Sequence, residues 1–212
     1  MRLTDVAELV AGSSHSCARL SSGPVECWGA GDRGQLGTGV LESSPVPVPV
    51  AGLDDAVQLA ASQAWTCAVR RSGAVACWGT PDSYPRGGER PTVDPSPRPI
   101  EGLQGAVEVA LRMDNANSSA NEGAARMADG TVVRFDGIHP PRPITGLPPV
   151  QGLAAGVHHT CARTADGEVW CWGSGDRGQL GAEASGGGPV RVPGVSGAVE
   201  LASGRFATCA RR

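Results

Sequence analysis

Apolar and polar residues alternate with a period of two in short bursts along this chain, without the 3.6-residue spacing of an amphipathic helix. Clear examples are Ala7-Glu8-Leu9-Val10-Ala11-Gly12, Val57-Gln58-Leu59-Ala60-Ala61 and Val199-Glu200-Leu201-Ala202-Ser203. Each ends in small residues, and each puts its Leu at the same distance ahead of a cysteine. Alternation closed by Gly, Ala or Ser predicts a strand running into a turn. A hairpin is predicted to follow. Thr164-Ala165-Asp166-Gly167-Glu168 suits a three-residue connection, a type I turn with Gly in the left-handed conformation. That loop pairs Thr164 with Glu168 and, stepping outward, Cys161 with Cys171. Ladder bonds alternate, so the cysteines fall in a non-hydrogen-bonded pair, where Cα atoms stand about 4.5 Å apart, near the short end of what a disulfide spans.

The stretch from Cys161 to Gly181, CARTADGEVWCWGSGDRGQLG, recurs from Cys17 to Gly37 as CARLSSGPVECWGAGDRGQLG. A shorter copy, CAVRRSGAVACWG, runs from Cys67 to Gly79, and a worn one, AARMADGTVVRFD, from Ala124 to Asp136; Cys209 opens another, CARR. After each complete hairpin comes a Gly/Pro-rich connection, a Pro-rich extended piece and a marker: Gly52-Leu53, Gly102-Leu103, Gly146-Leu147 or Gly194-Val195. A period of about 50 residues built from short strands predicts an all-β domain, a β-propeller. The expected repeats are 5–53, 54–103, 104–147 and 148–195, with a half-repeat over 196–212. The third departs most: it inserts Met113 to Ser119 before its hairpin and lacks the Gly-Gln-Leu-Gly turn. The half-repeat lacks outer strands, and Cys209 lacks a partner. The expectation is an open arc with a bare edge near Ala207 to Arg211, completed by the remainder of a larger ring or by a second copy. The alternative is a small closed ring in which the half-repeat pairs with Val6 to Ala11.

With 212 residues and 40% hydrophobic content, the chain suffices for one sizeable core. All 18 basic residues are Arg. The absence of Lys excludes a P-loop lysine and Schiff-base chemistry, which needs a primary amine. A net charge of −3 without an Arg run argues against nucleic-acid and membrane-surface partners. No apolar run is long enough to cross a bilayer. Asp5 and Glu8 do not suit a secretory signal, so the chain is expected to be cytoplasmic or to have its true N-terminus outside this sequence.

Taken together, WCWGSGDRGQLG, GDRGQLG at 31–37 and 175–181, and the repeat period resemble the regulator-of-chromosome-condensation family across essentially the whole chain. The resemblance implies a propeller, seven-bladed in well-studied members. Among those members are an exchange factor for a small nuclear GTPase, a plant ultraviolet-B receptor and bacterial β-lactamase inhibitors. A rigid disc whose loops bind another protein is what they share, so the motifs speak to fold rather than activity.

Trp28, Trp78, Phe135 and Trp172 share one hairpin register and are expected between blades, since large aromatics dominate core burial. His15 and His159 precede a cysteine by two residues, where the second repeat has Trp65; a position that accepts either residue packs or hydrogen-bonds rather than ligating metal. Asn117-Ser118-Ser119 matches a glycosylation acceptor but carries no weight alone. In the turns, Asp32 and Asp176 are expected to bond backbone, leaving Arg33 and Arg177 as solvated rim residues for a partner. Cys17 and Cys27, Cys67 and Cys77, and Cys161 and Cys171 share one spacing, and both positions change together in the third repeat, to Ala124 and Arg134. Joint loss favours disulfides; the alternative is small buried apolar residues in a tight register.

These residues point to a non-catalytic scaffold that presents loops to a protein partner and requires no cofactor or metal. The chosen contacts are Asp32, Arg33, Arg86, Arg90, Asp176 and Arg177, in loops whose length and charge vary between repeats. The alternatives are an exchange-factor-like regulator of a small GTPase and a hydrolase with carboxylates gathered from different blades. Against a hydrolase stand only four His and the lack of a Gly-x-Ser-x-Gly elbow. Paired cysteines favour an extracytoplasmic compartment, with the cytoplasm as the alternative.

Overall fold

The computed structural model describes residues 3–80, 93–112, 122–183 and 188–212. Among them there is no helix, and none long and apolar enough to cross a membrane. The first blade consists of β1 (Val6–Ala11), β2 (His15–Leu20), β3 (Val25–Gly29) and β4 (Ser44–Pro49), in that spatial order. The second is built from β5 (Ala56–Ala61), β6 (Trp65–Arg70), β7 (Val75–Gly79) and β8 (Asp94–Pro99). The third has β9 (Ala106–Arg112), β10 (Glu122–Met127), β11 (Val132–Phe135) and the short β12 (Arg142–Pro143). The fourth has β13 (Val150–Ala155), β14 (His159–Thr164), β15 (Val169–Gly173) and the short β16 (Val190–Arg191). Two further strands, β17 (Glu200–Ser203) and β18 (Thr208–Arg211), form a sheet of their own. All pairings are antiparallel and no ladder joins β18 to β1, so the propeller is open.

The hairpin geometry follows from its turn. Thr164 and Glu168 close the loop through the Thr164 N–H to Glu168 carbonyl bond of 3.0 Å, and Gly167 takes φ 72°. Cys161 then stands opposite Cys171, as Cys17 stands opposite Cys27 and Cys67 opposite Cys77. All three pairs sit at disulfide distance, with Cα separations of 4.0 to 4.1 Å. Bridged or not, the sulfur atoms face the next blade. Cys17, Val25 and Cys27 pack with Leu59, Ala68 and Trp78 of the second blade, and Cys67 and Cys77 pack with Val109, Ala125 and Phe135 of the third. The third blade meets the fourth through Ala124 and Val132 against Val150 and Trp172. Cys161 and Cys171 lie against Ala198 and Leu201.

Each blade therefore has a leading face, which covers the cysteine face of the blade before it. Leu59 and Trp78 of the second blade are 2% and 0% exposed on that account. Among the described residues, no blade packs ahead of their first-blade counterparts, Leu9 and Trp28. Leu9 is 64% exposed and Trp28 only half-buried, which corrects the expectation that all four hairpin aromatics are core residues. Phe135 and Trp172 are buried as expected.

A second contact holds blade to blade. The ladder between β1 and β2 skips Ala7, and that bulge re-aims the following side chain. Glu8 then accepts from the Leu59 N–H at 3.1 Å and from Arg19 Nε at 3.0 Å. Gln58 repeats the clasp on Val109, donating to its carbonyl and accepting from its N–H, and Glu108 accepts from Leu153 N–H and Arg126. In the last sheet Glu200 and Arg211 form the same pair, 2.8 Å apart, with both side chains open to solvent.

Candidate functional site

Strand order fixes where the loops emerge. His15 lies opposite Gly29, so the turn at 12–14 and the loop at 30–43 leave the same end of the blade. His159 opposite Gly173 repeats the arrangement, and the structure brings Asp32-Arg33 and Asp176-Arg177 to one face of the arc. All four are exposed. Arg86 and Arg90 lie outside the described residues, as do Met113 to Ser119 and the glycosylation match within it. Near the propeller axis, the turns at Gly12-Ser13, Ser62, Gly156-Val157 and Gly204-Arg205 converge on a cavity of about 270 Å³.

The turn chemistry differs from the sequence expectation. Gln35, not the aspartate, caps the turn: its Oε1 accepts the Arg33 N–H at 2.9 Å, and its Nε2 donates to Asp32 at 3.4 Å. Gln179 does the same for Arg177 N–H, at 2.8 Å, and for Asp176. The Ser174 hydroxyl also bonds Asp176, and these donors hold its carboxyl below the usual range. A buried primary amide supplies both a donor and an acceptor, which a carboxylate cannot.

Gln35 also ties its loop to the next blade. Its carbonyl accepts from Trp78 Nε1 at 3.0 Å and from Thr66 Oγ1 at 3.4 Å, while Thr80 donates to the Arg33 carbonyl at 3.0 Å. Gly37, at φ 68°, permits the approach, since a Cβ there would come within 2.9 Å of the Trp78 ring. Arg177 is seated differently, its guanidinium 5.0 Å from the Phe206 ring centre, with Arg205 at the same distance and His158 stacked on that ring. A cation over an aromatic face gains roughly 0.5 to 1 kcal/mol at an exposed site. Arg177 thus rests on an aromatic ring, whereas Arg33 is placed by the hydrogen bonds of its backbone turn.

The histidines serve the fold. Thr66 gives its proton to the Gln35 carbonyl, so the His15 Nε2–H must donate to Thr66 Oγ1, 2.8 Å away, leaving Nδ1 as a bare acceptor. Burial pushes the His15 pKa down to about 4, and burial also lowers His159, which meets Thr208 at 2.7 Å. A histidine with a depressed folded-state pKa leaves the unfolded chain binding more protons. Its stability contribution is complete above the unfolded value of about 6.5 and is lost as pH falls towards about 4. We expect acidification to about pH 4.5 to cost roughly 2 kcal/mol through His15. In urea melts, His15→Gln should reduce the acid sensitivity by that amount; an unchanged pH slope would refute this assignment. Among the described residues, no group of three or more His, Cys, Asp or Glu is placed to hold a metal ion.

Sequence reasoning did not find Gln35, the Glu8-type clasp or the Phe206 seat. The Gln-Leu motif and the repeated Glu or Gln at 8, 58 and 108 were visible, but their partners lie on the next blade.

Two models of the regulator of chromosome condensation (RCC1) repeat match the chain, one at residues 6–35 and 150–179, the other at 22–69 and 166–211. No relative of curated function matches it in sequence. Among solved structures, human WBSCR16 is similar with a TM-score of 0.82 and 23% identity, over 99% of this chain and 59% of that one. Prp20p from Saccharomyces cerevisiae, described with its binding properties to Gsp1p and histones, gives a TM-score of 0.74 and 23% identity, over 94% of this chain and 53% of that one. The chain thus spans somewhat more than half the length of both, and the likeness to them is one of fold. With four four-stranded antiparallel blades in place and both repeat models matched at each end of the arc, the chain belongs to the regulator of chromosome condensation (RCC1) repeat family.

Proposed function

We propose that the arc is a non-catalytic scaffold that binds a protein partner through the loops of one face, with Asp32, Arg33, Asp176 and Arg177 as contacts and Arg86 and Arg90 as further candidates. The observation that carries this reading is the division of labour within each GDRGQLG turn. Gln35 and Leu36, like Gln179 and Leu180, are buried and anchor the loop, while the Asp-Arg pair is left exposed on it. An anchored loop favours binding because little backbone freedom remains to be lost when a partner docks. The RCC1-repeat propeller generally mediates protein interaction, and Prp20p, which shares the fold, is described as binding the proteins Gsp1p and histones. An oxidising, extracytoplasmic compartment is supported by the three cysteine pairs at disulfide distance.

Alanine at Arg33, Arg86 and Arg177 together should weaken partner capture at least about tenfold while the melting temperature stays within a few degrees, because hot-spot arginines contribute about 2 kcal/mol each. Capture by the triple variant equal to wild type in a quantitative pull-down would discard these loops. Accelerated guanine-nucleotide release from a small GTPase at substoichiometric protein would instead support the exchange-factor reading.

A further inference from the structure

The clasp that joins each blade to the next is missing at one junction. Glu8 stands opposite Arg19, Gln58 opposite Val69 and Glu108 opposite Arg126, and these three side chains reach Leu59, Val109 and Leu153 of the following blade. Glutamate goes with arginine. Glu8 accepts from Arg19 Nε at 3.0 Å as well as from Leu59 N–H at 3.1 Å, and Glu108 accepts from Arg126 Nε at 2.7 Å as well as from Leu153 N–H at 3.1 Å. Gln58, opposite Val69, bonds backbone groups alone. In the fourth blade the residue opposite Arg163 is Gly152, which has no side chain to extend.

The rest of that junction is intact. Leu201 packs on Cys161 and Cys171 as Leu59 packs on Cys17 and Cys27, and His159 meets Thr208 at 2.7 Å as His15 meets Thr66 at 2.8 Å. The Gly204 carbonyl crowds Gly156 as the Ser62 carbonyl crowds Gly12, leaving neither glycine room for a Cβ. β17 therefore sits against β13 in the register in which β5 sits against β1. Gly204 N–H donates to the Ala207 carbonyl, so by ladder alternation Leu201 N–H points away from β18, as a clasped amide does. Arg163 borders the gap: its Nη2 and Nε lie 3.6 and 3.7 Å from where a Gly152 Cβ would stand, and among the described residues its Nε has no hydrogen-bond partner. Gly152, Arg163 and Leu201 are each only half-buried, so solvent reaches the place.

Two such pairs of arginine and leucine N–H already hold a carboxylate in this chain, and the third pair lacks one. We infer that the gap at Gly152 binds the carboxylate of an acidic side chain from a protein partner, which accepts from Arg163 Nε–H and Leu201 N–H as Glu8 accepts from Arg19 and Leu59. Glu200, beside Leu201, is paired with Arg211 at 2.8 Å, which offsets its charge. The inference rests on the protein-binding reading and gives the partner's chemistry at a place apart from the rim loops.

The probe is acetyl-Gly-Glu-Gly-amide, with acetyl-Gly-Gln-Gly-amide as control, followed at the Leu201 amide in ¹H–¹⁵N spectra. The glutamate peptide should move that signal saturably, with a Kd of a few millimolar, as befits a short flexible ligand. The control should bind at least about tenfold more weakly, and Arg163→Gln should weaken the glutamate peptide about fivefold. Gly152→Glu supplies the carboxylate from the chain itself; Gly152 is not in the left-handed region, and the nearest atoms belong to the flexible Arg163 side chain. That variant should no longer bind the peptide, and its Leu201 N–H should exchange at least about tenfold more slowly than in wild type. An unmoved Leu201 signal in wild type, an equal response to the glutamine peptide, or full peptide binding by Gly152→Glu would each overturn the proposal. None of these outcomes touches the loop test, which reads capture at Arg33, Arg86 and Arg177.

Discussion

Trp78→Ala should destabilise the protein by about 4 kcal/mol, while Trp28→Ala, the same change at the equivalent hairpin position, should cost under about 1 kcal/mol. The difference comes from neighbours alone. Trp78 is fully buried against Cys17, Val25 and Leu36 of the first blade, and its indole N–H holds the Gln35 carbonyl. Truncation there leaves a large cavity between two blades and removes the shorter of the two hydrogen bonds to the buried Gln35 carbonyl. Trp28 is half-buried on a face that no blade covers among the described residues, so water already shares its surface. Paired urea denaturation curves for the two variants give the comparison. Equal losses would mean that something in solution covers the leading face of the first blade.

Reduction of the cysteine pairs should have a comparable or larger effect. Bonds at Cys17 and Cys27, Cys67 and Cys77, and Cys161 and Cys171 each close a loop with a sequence separation of 10 residues. Loop entropy alone makes each worth at most about 2 to 3 kcal/mol. Three together approach the whole stability of a typical domain, about 5 to 15 kcal/mol. The third blade keeps its hairpin with Ala124 opposite Arg134, so the cysteines staple a register that the turn already sets. Thiol titration in denaturant after aerobic purification should find one free group, Cys209, which is exposed on β18 and has no third strand beside it to carry a second cysteine. Seven free thiols would contradict the bridges, and with them the case for an oxidising compartment.

What the sequence revealed was local. Thr164 to Glu168 dictates its own turn, and that turn places Cys161 opposite Cys171 with no help from the rest of the fold. Strand alternation and the Gly-Leu markers set the number of blades for the same reason. Whatever depended on the next blade stayed hidden. Glu8 and Glu108 look like the polar half of an ordinary alternating strand until the N–H groups of Leu59 and Leu153 are placed beside them. Asp32 resembled a turn-capping residue because Asp commonly is one, yet the buried Gln35 has both the donor and the acceptor the turn needs. Trp28 was read as core because its hairpin matches Trp78, and sequence identity carries no information about a missing neighbour. At the candidate site, Asp-Arg could be recognised as rim residues, but the Phe206 support under Arg177 lies 29 residues along the chain, in the turn between β17 and β18.

Each blade is held by its successor, and the two ends of the described arc are not paired with each other. Hydrogen exchange measured amide by amide on the intact chain tests this most directly. Leu59 N–H, held by Glu8, and Thr66 and Ala68, which face β7 in the hydrogen-bonded register, should exchange only on global opening. Thr208 and Ala210 occupy that same register on β18, where no third strand follows, and Leu9 has no clasp from a preceding blade among the described residues. These three amides should exchange at least about a hundredfold faster than their second-blade counterparts. Protection of Thr208, Ala210 and Leu9 equal to that of Thr66, Ala68 and Leu59 would show that the ring closes, and would contradict the open arc.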